Sequence, residues 1–385
     1  MRMKFTGITR ISLSGLSSAL ISLGVIVSIP SFPTVPQAAP ARAASGYVSI
    51  GVLGLFHPRQ LTVSAPAGQA LILHAGEVGT GEESIVLERS TGLESASVRI
   101  SGDGILLTAG PRSIRAAALI VTGRENEPVE FVLSVPEKIT RRYRGTLAIK
   151  PSSGTLLAII TMDRETAVAS VVAAESTADT PLEALKAQAV AARSYFAASR
   201  GRHHDFDFCD TTHCQFLREP PAPDSPAAAA VAATRDLVLA FNSQPFAAMY
   251  TRSCSGRTRT PAELGLPSAG YPYYSVECKY CRARPVRWVS RLSAQDAASL
   301  HSSDEAARLS VVRRLGWAAA PSNDFVIEEE HDQILVKGTG QGHGIGLCQA
   351  GAKAMAQEGA DFRQILSHYY PNSTIVNLAA PAGSL

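Results

Sequence analysis

The chain has 385 residues, of which 45% are hydrophobic and 18% charged, a composition that supplies the core of two or three domains and excludes disordered and collagen-like chains. Its formal charge of +3 depends on four basic residues in the first 44, a segment without Asp or Glu, and the rest of the chain carries −1. A nearly neutral body lacks the clustered basic surface that DNA or RNA binding requires, so nucleic acid is excluded as a partner.

Residues 1–44 have the order of features of an export signal. A basic start precedes an apolar stretch from Ile11 to Ile29, and a Pro/Ala-rich tail ends in Ala41-Arg-Ala-Ala44, which predicts cleavage after Ala43. The stretch is long for a signal, so an uncleaved membrane anchor is the alternative. Because no later apolar run of that length occurs, we expect an exported, extracytoplasmic body in the cell envelope or periplasm.

The sequence pattern of residues 45–140 predicts a β-rich accessory domain. Short alternating or β-branched runs, such as Gln60–Ser64, Ala70–His74 and Ser97–Ser101, are separated by Gly, Pro and polar clusters. A strand pair over 143–149 and 156–162 then leads into helical periodicity. We therefore predict an α+β fold, in which residues 141–378 form a mixed helix/strand domain and 379–385 a tail.

Glu175 is the first candidate catalytic residue. Val168, Val171, Val172 and Glu175 are spaced i, i+3, i+4, i+7 on a predicted helix, so the carboxylate shares the apolar stripe that faces the interior. The helix breaks directly after it, at the negative end of the helix dipole. Burial and dipole both raise a carboxyl pKa, which favours general acid catalysis near pH 7. A helix-terminal Glu held by backbone donors or Arg is the alternative.

The next predicted helix has Thr180 as N-cap, Pro181 as its first residue and Glu183 completing a capping box. Its helical spacing directs several polar side chains toward the side of Glu175. They are candidate cleft residues, with ordinary helix-surface positions as the alternative: Gln188, Arg193 and Tyr195.

A Gly-rich run from Gly338 to Gly346 precedes a helical pattern over Leu347–Gln357. Its alternating glycines surround His343 and match neither the dinucleotide fingerprint nor a phosphate loop. They would allow the backbone to approach a ligand closely, with one imidazole in the middle. A tight strand-to-helix turn is the alternative.

Two of the cysteine spacings suggest metal binding. Cys209-Asp-Thr-Thr-His213-Cys214 has metal-ligand residue types, and Cys278-Lys-Tyr-Cys281 has the spacing of a zinc knuckle. Disulfides persist in exported proteins and are the alternative. For a zinc ion, Cys209, His213 and Cys214 are the first choices as ligands.

Four separated segments carry motifs that occur together in one family. The first spans Val171–Tyr195 and includes Val171-Val-Ala-Ala-Glu-Ser-Thr. The others are Cys209-Asp-Thr-Thr-His-Cys-Gln215, Gly342-His-Gly-Ile-Gly-Leu-Cys-Gln349 and Ile365-Leu-Ser-His-Tyr-Tyr-Pro371. In this order, over about residues 143–376, they resemble stage II sporulation protein D and the related amidase-enhancer proteins, and four motifs in register are more specific than any one of them.

This resemblance implies a lytic transglycosylase whose helices build a groove for peptidoglycan glycan strands, especially strands stripped of stem peptides. Glu175 would be its single acid/base. It would protonate the glycosidic oxygen between N-acetylmuramic acid and N-acetylglucosamine, and then accept the proton of the muramic C6 hydroxyl, which leaves a 1,6-anhydro end. No water is activated, so the second carboxylate of ordinary glycosidases is not needed.

The resemblance also implies further roles. The zinc ion would be structural, and five residues at family positions would bind substrate: Gln188, Arg193, Tyr195, His343 and Gln349. One alternative function is a non-catalytic peptidoglycan-binding protein that enhances a cell-wall amidase as its partner. A zinc hydrolase based on His213 is a further alternative, but the sequence lacks a His-Glu-x-x-His motif or a comparable open three-ligand site.

Overall fold

The computed structural model describes residues 46–76, 82–268, 270–300, 304–330 and 333–379. The predicted export segment, residues 1–44, and residues 380–385 of the predicted tail lie outside these ranges. Strands dominate the first part of the described chain and helices follow, so the predicted α+β class is confirmed. Among the residues described, no helix combines the length and apolarity needed to span a membrane.

A twelve-stranded sheet holds the first part of the described chain. Along its main path the order is β12-β1-β11-β10-β9-β2-β5-β6-β7, with β8 joining β10 to β3 and β3 joining β4. Its strands mostly alternate buried and accessible residues, as a sheet with one face on the core requires. They are β1 (Tyr47–Val52), β2 (Gln60–Ser64), β3 (Ala70–Gly76), β4 (Glu82–Glu88), β5 (Ser95–Ser101), β6 (Gly104–Ala109), β7 (Arg112–Ala116), β8 (Ala118–Thr122), β9 (Val129–Val135), β10 (Ile139–Ser152), β11 (Thr155–Asp163) and β12 (Phe208–Cys209).

The long strand β10 joins the two parts of this sheet. Its first half pairs with β9, and its second half pairs with β11 and β8. Gly145 lies at the change of partner with a φ of 155°, and a Cβ there would lie 2.4 Å from the carbonyl oxygen of Thr161. The predicted domain boundary at residue 141 thus falls inside a strand, and the division into two domains stays a prediction.

Three helices follow the sheet: α1 (Arg164–Glu175), α2 (Leu182–Ala198) and α3 (Pro226–Ala233). Asp163, the last residue of β11, caps α1 by accepting from the amides of Glu165 and Thr166. This cap begins the helix directly at the end of the strand. The predicted stripe of Val168, Val171 and Val172 is fully buried.

The predicted capping box at Thr180 is wrong. The helix α2 begins at Leu182, and the Thr180 hydroxyl instead accepts the amide of Thr177 at 3.1 Å. Glu183 pairs with Lys186 and accepts the amide of Phe362 at 2.9 Å. This contact joins α2 to a helix almost two hundred residues later, which a local pattern cannot reveal.

The remaining elements complete the domain around α2. Residues Leu347 and Cys348, predicted to begin a helix, form a short strand, because they pair in parallel with Tyr250 and Thr251. The elements are β13 (Leu237–Phe241), β14 (Gln244–Pro245), β15 (Tyr250–Thr251), α4 (Lys279–Ala283), β16 (Arg287–Leu292), α5 (Ala294–Ala298), α6 (Glu305–Leu315), β17 (Asp324–Glu330), β18 (Gln333–Thr339), β19 (Leu347–Cys348), α7 (Gln349–Gln357), α8 (Phe362–Tyr369) and β20 (Thr374–Asn377).

Candidate active site

Glu175 ends α1 and is partly buried. Its Oε2 lies 3.2 Å from Nε2 of Gln349, the first residue of α7. The same Nε2 lies 3.4 Å from Oε1 of Gln188 in the middle of α2. The fold thus brings together three predicted site residues from three separate segments.

A cleft of about 370 Å³ opens beside these side chains. Its walls are the turn between α1 and α2, the helix α7 and the segment after β15. Most of its lining can form hydrogen bonds, and Tyr280 adds one aromatic ring. The other polar lining residues are Ser176, Thr177, Asp179, Thr180, Arg252, Lys353 and Gln357.

Arg252 holds the end of α1 in place. Its Nη1 donates to the carbonyl oxygen of Glu175 at 2.9 Å, and its own carbonyl oxygen accepts the amide of Ala350 at 3.1 Å. The parallel pairing of β15 with β19 sets this register. Close approach of the two strands requires Gly346, where φ is 72° and a Cβ would lie 1.9 Å from the carbonyl oxygen of Met249.

The environment of Glu175 favours its neutral form. Burial raises the pKa of this carboxyl above its ordinary value of 4.5, while the hydrogen bond from Gln349 and the charge of Arg252 oppose the rise. Burial acts more strongly, because the carboxylate loses hydration that one amide donor and one partly exposed guanidinium only partly replace. The arrangement can therefore supply a carboxylic acid that donates a proton.

Asp179 is the other carboxylate among the residues lining the cleft. Its side chain is 75% exposed and pairs with Lys353. Hydrogen bonds from Lys353 and Thr177 lower the pKa of Asp179. The cleft therefore holds one carboxyl group that is biased toward protonation and one that stays ionised.

Two residues expected at the cleft lie elsewhere in α2. Arg193 is fully buried and forms a two-pronged ion pair with Glu165, at 2.8 and 2.7 Å. Tyr195 is buried beside Phe208, under the guanidinium of Arg202. The structure gives both residues packing roles between α2 and its neighbours, and neither lines the cleft described above.

His343 is also absent from the residues lining this cleft. Its Nδ1 accepts the amide of Ile345 at 3.0 Å, within the Gly-rich turn. Burial lowers the pKa of His343 to about 4, so the imidazole is neutral at pH 7. In this position the side chain stabilises the turn that leads into β19 and Gln349.

The predicted zinc ligands converge, and a fourth joins them. The ligand atoms of Cys209, His213, Cys214 and His203 all lie within 4.8 Å of one another. A tight turn, closed by the Cys214 amide on the carbonyl oxygen of Thr211 at 3.0 Å, directs adjacent His213 and Cys214 to the same point. Two imidazoles and two thiols fit a closed tetrahedral zinc site.

Sequence reasoning missed three features of this region: Arg252, His203 and a cluster of the other four cysteines. For His203, the signal was a histidine a few residues before a Cys/His motif. Arg252 offered no local signal, because its role follows from the pairing of β15 with β19. The four cysteines lie in three separate segments, of which only Cys278 and Cys281 show a metal-site spacing.

Comparison with known proteins agrees with this picture. Residues 152–241, which contain Glu175 and Gln188, match the stage II sporulation protein family. An uncharacterized protein of Brachyspira hyodysenteriae is 28% identical over 61% of this chain and 72% of its own length. Stage II sporulation protein D of Bacillus subtilis is 26% identical over 54% of this chain and 73% of its own.

A shorter match links the chain to a second kind of protein. The amidase enhancer of Bacillus subtilis is 35% identical over 63 residues, which are 16% of this chain and 9% of the enhancer. Together these matches confirm the resemblance seen in the motifs: the chain is similar to stage II sporulation protein D and the amidase enhancer, and the family model matches residues 152–241.

Proposed function

We propose that this protein is an exported peptidoglycan lytic transglycosylase that cleaves the bond between N-acetylmuramic acid and N-acetylglucosamine in cell-wall glycan. One observation carries the proposal. Glu175 is a partly buried acid whose pKa is raised by desolvation, and it lies in a polar cleft against Gln349. Similarity to two named proteins adds support, since one is a stage II sporulation protein and the other an amidase enhancer.

The reaction requires one group that first gives and then takes a proton. Neutral Glu175 donates its proton to the glycosidic oxygen as the bond to muramic C1 breaks, which releases the N-acetylglucosamine hydroxyl. The resulting carboxylate accepts the proton of the muramic C6 hydroxyl, whose oxygen closes on C1. The reaction consumes no water, because the proton that Glu175 gives to the leaving oxygen is replaced by the proton of the C6 hydroxyl, and Glu175 returns to its neutral form.

Two carboxamides beside Glu175 are suited to hold the sugar. Among the described residues, Nε2 of Gln188 and Oε1 of Gln349 are buried without a hydrogen-bond partner. A buried polar atom without a partner costs about 1–3 kcal/mol, and a bound glycan can remove that cost. Sugar hydroxyls and N-acetyl groups both accept from an amide N–H, and the hydroxyls also donate to a carbonyl oxygen.

We propose that His203, Cys209, His213 and Cys214 hold a structural zinc ion. Four protein ligands close the coordination sphere, so the ion would stabilise the fold rather than bind water for catalysis. These residues connect β12, at the edge of the large sheet, to the chain after α2. No step of the proposed reaction uses this ion.

The amidase-enhancer match favours a second function. In it the protein binds peptidoglycan and stimulates a cell-wall amidase without cleaving glycan itself. Both functions predict glycan binding, so product chemistry is the discriminator between them.

The test uses purified protein and glycan strands stripped of stem peptides. We expect release of 1,6-anhydromuramyl products, detected by mass spectrometry, and a loss of about 10²–10⁴-fold in rate for Glu175→Gln. Glu358→Gln, which makes the same substitution at the exposed residue that follows α7 and lies outside the cleft lining, serves as the matched control. Reducing rather than anhydro ends, or equal rates for Glu175→Gln and the native protein, would contradict the proposal.

A further inference from the structure

Four buried cysteines meet beside the active-site cleft, and they are separate from the His/Cys cluster described above. Their sulfur atoms all lie within 4.8 Å of one another. All four residues are fully buried or nearly so: Cys254, Cys278, Cys281 and Cys348. They come from the segment after β15, from the N-cap and first turn of α4, and from β19, so the fold alone assembles the group.

The spacing fits one tetrahedral ion. With metal–sulfur bonds of about 2.3 Å, the sulfurs of a tetrahedral zinc site are about 3.8 Å apart. The Sγ atoms of Cys281 and Cys348 are 3.6 Å apart. Cys278 and Cys281 flank the first turn of α4 with the two-residue spacer of a zinc knuckle.

Hydrogen-bond donors surround the sulfurs, as thiolate ligands require. The amides of Cys254 and Gly351 donate to Sγ of Cys348 at 3.3 and 3.4 Å. The hydroxyls of Tyr369 and Ser253 lie 3.5 Å from the sulfurs of Cys278 and Cys281, respectively. Such donors spread the negative charge of four thiolates around a divalent ion.

A small residue lets α7 approach the cluster. A Cβ on Gly351 would lie 2.6 Å from Sγ of Cys278 and 2.0 Å from the Tyr369 hydroxyl. The backbone of α7 therefore packs directly on the sulfurs and gives one of them an amide donor. This packing favours a built site over a chance gathering of apolar thiols.

Two disulfides are the competing arrangement in an exported protein. Each disulfide joins two sulfurs at about 2.05 Å and needs no relation to the other pair. Here each sulfur lies within 4.8 Å of the other three, and two backbone amides donate to Sγ of Cys348. One ion accounts for both features, whereas pairwise bonding accounts for neither.

We infer that Cys254, Cys278, Cys281 and Cys348 form a second structural zinc site, with four thiolate ligands. The ion would join three segments that each contribute a residue to the cleft lining. Cys254 lies two residues after Arg252, Cys348 directly precedes Gln349, and Tyr280 lies between Cys278 and Cys281. Only this positioning role rests on the proposed function; metal binding itself does not.

The experiment measures zinc in the purified full chain by elemental analysis. We expect two zinc ions per chain in the native protein, one in His203→Ala and one in Cys281→Ser. X-ray absorption on His203→Ala should show a shell of four sulfurs at about 2.3 Å. That variant keeps the four cysteines intact, so it tests the site even where Cys281→Ser fails to fold.

Two results would overturn the inference. One is a non-reduced, denatured native chain whose mass is four hydrogens lower than the sequence requires and in which these four cysteines are paired. The other is His203→Ala protein that folds and binds no zinc. Activity is not part of either readout, so an inactive protein with two zinc ions would contradict the proposed function and leave the thiolate site standing.

Discussion

Arg193 is the residue whose environment in the structure differs most clearly from the role that the family motif implies. The family resemblance implies that this residue binds glycan, whereas the structure encloses it in an ion pair with Glu165, with exposed fractions of 0% and 9% for the two side chains. We expect Arg193→Met to unfold the protein more easily and to leave catalysis by folded molecules nearly unchanged.

The size of the loss follows from the contacts. Removing one partner of a buried ion pair costs about 3–5 kcal/mol, because the other charge is left without compensation. Nε of Arg164 lies 3.7 Å from Oε1 of Glu165 and partly neutralises that charge, which favours the lower end. The carbonyl oxygen of Leu237 also loses a donor at 3.0 Å, worth about 1 kcal/mol. Together these contacts predict a loss of about 3–4 kcal/mol in the free energy of unfolding.

Urea denaturation of the native and variant proteins measures this loss. Arg89→Met, which breaks an exposed pair with Glu94 whose side chains are 63% and 50% accessible, should cost at most about 1 kcal/mol. Adding Glu165→Gln to Arg193→Met should restore much of the stability, since no unpaired charge then remains buried. Native stability in Arg193→Met combined with lost glycan cleavage would refute the reasoning and place Arg193 against the substrate.

Three further results are expected. The raised pKa of Glu175 means that its ionised form lowers the free energy of unfolding. This loss of stability is fully present at pH values above the folded-state pKa and absent below the ordinary value of 4.5. Glu175→Gln should therefore unfold at a higher temperature than the native protein at pH 8 and show no gain at pH 4, and a gain of equal size at both would contradict this origin. Asp179→Asn should retain most of the glycan cleavage, because an exposed carboxylate paired with Lys353 has no step in the proposed reaction. A loss as deep as that of Glu175→Gln would instead indicate a hydrolase with Asp179 as its base. His203→Ala should lose one zinc ion in elemental analysis, whereas His204→Ala, whose side chain is 97% exposed, should lose none. Equal zinc contents in the two variants would remove His203 from the ligand set.

Local periodicity predicted the parts of the site that a single helix determines. The stripe of Val168, Val171 and Val172 fixed which face of α1 is buried, and the break after Glu175 fixed where α1 ends. Both features depend only on neighbours within two turns, so the sequence contains them. The same kind of reasoning failed at Thr180, because the contact of Glu183 with α8 competes with a local cap.

Local sequence periodicity carries no information about contacts between distant segments of the chain. The helical spacing of α2 directs both Gln188 and Arg193 inward. Periodicity alone cannot show that Gln188 borders the cleft whereas Arg193 pairs with Glu165. His343 illustrates the same limit, since its ring nitrogen accepts a backbone amide within its own turn. Arg252 could not be predicted at all, since its contact depends on two strands of two residues each.

The chemistry of Glu175 depends on how closely α7 approaches the end of α1. Burial is the main reason for its raised pKa, and Gln349 opposes it from the first residue of α7. Small shifts between the helices would therefore change how readily the acid gives up its proton. The ion pair between Arg193 and Glu165 joins α2 to α1. On the other side of the cleft, the inferred thiolate site would hold β19 and therefore Gln349, which directly follows it. Because these contacts lie on both sides of Glu175, they can hold the partly desolvated acid in a fixed geometry even though its carboxylate destabilises the folded state.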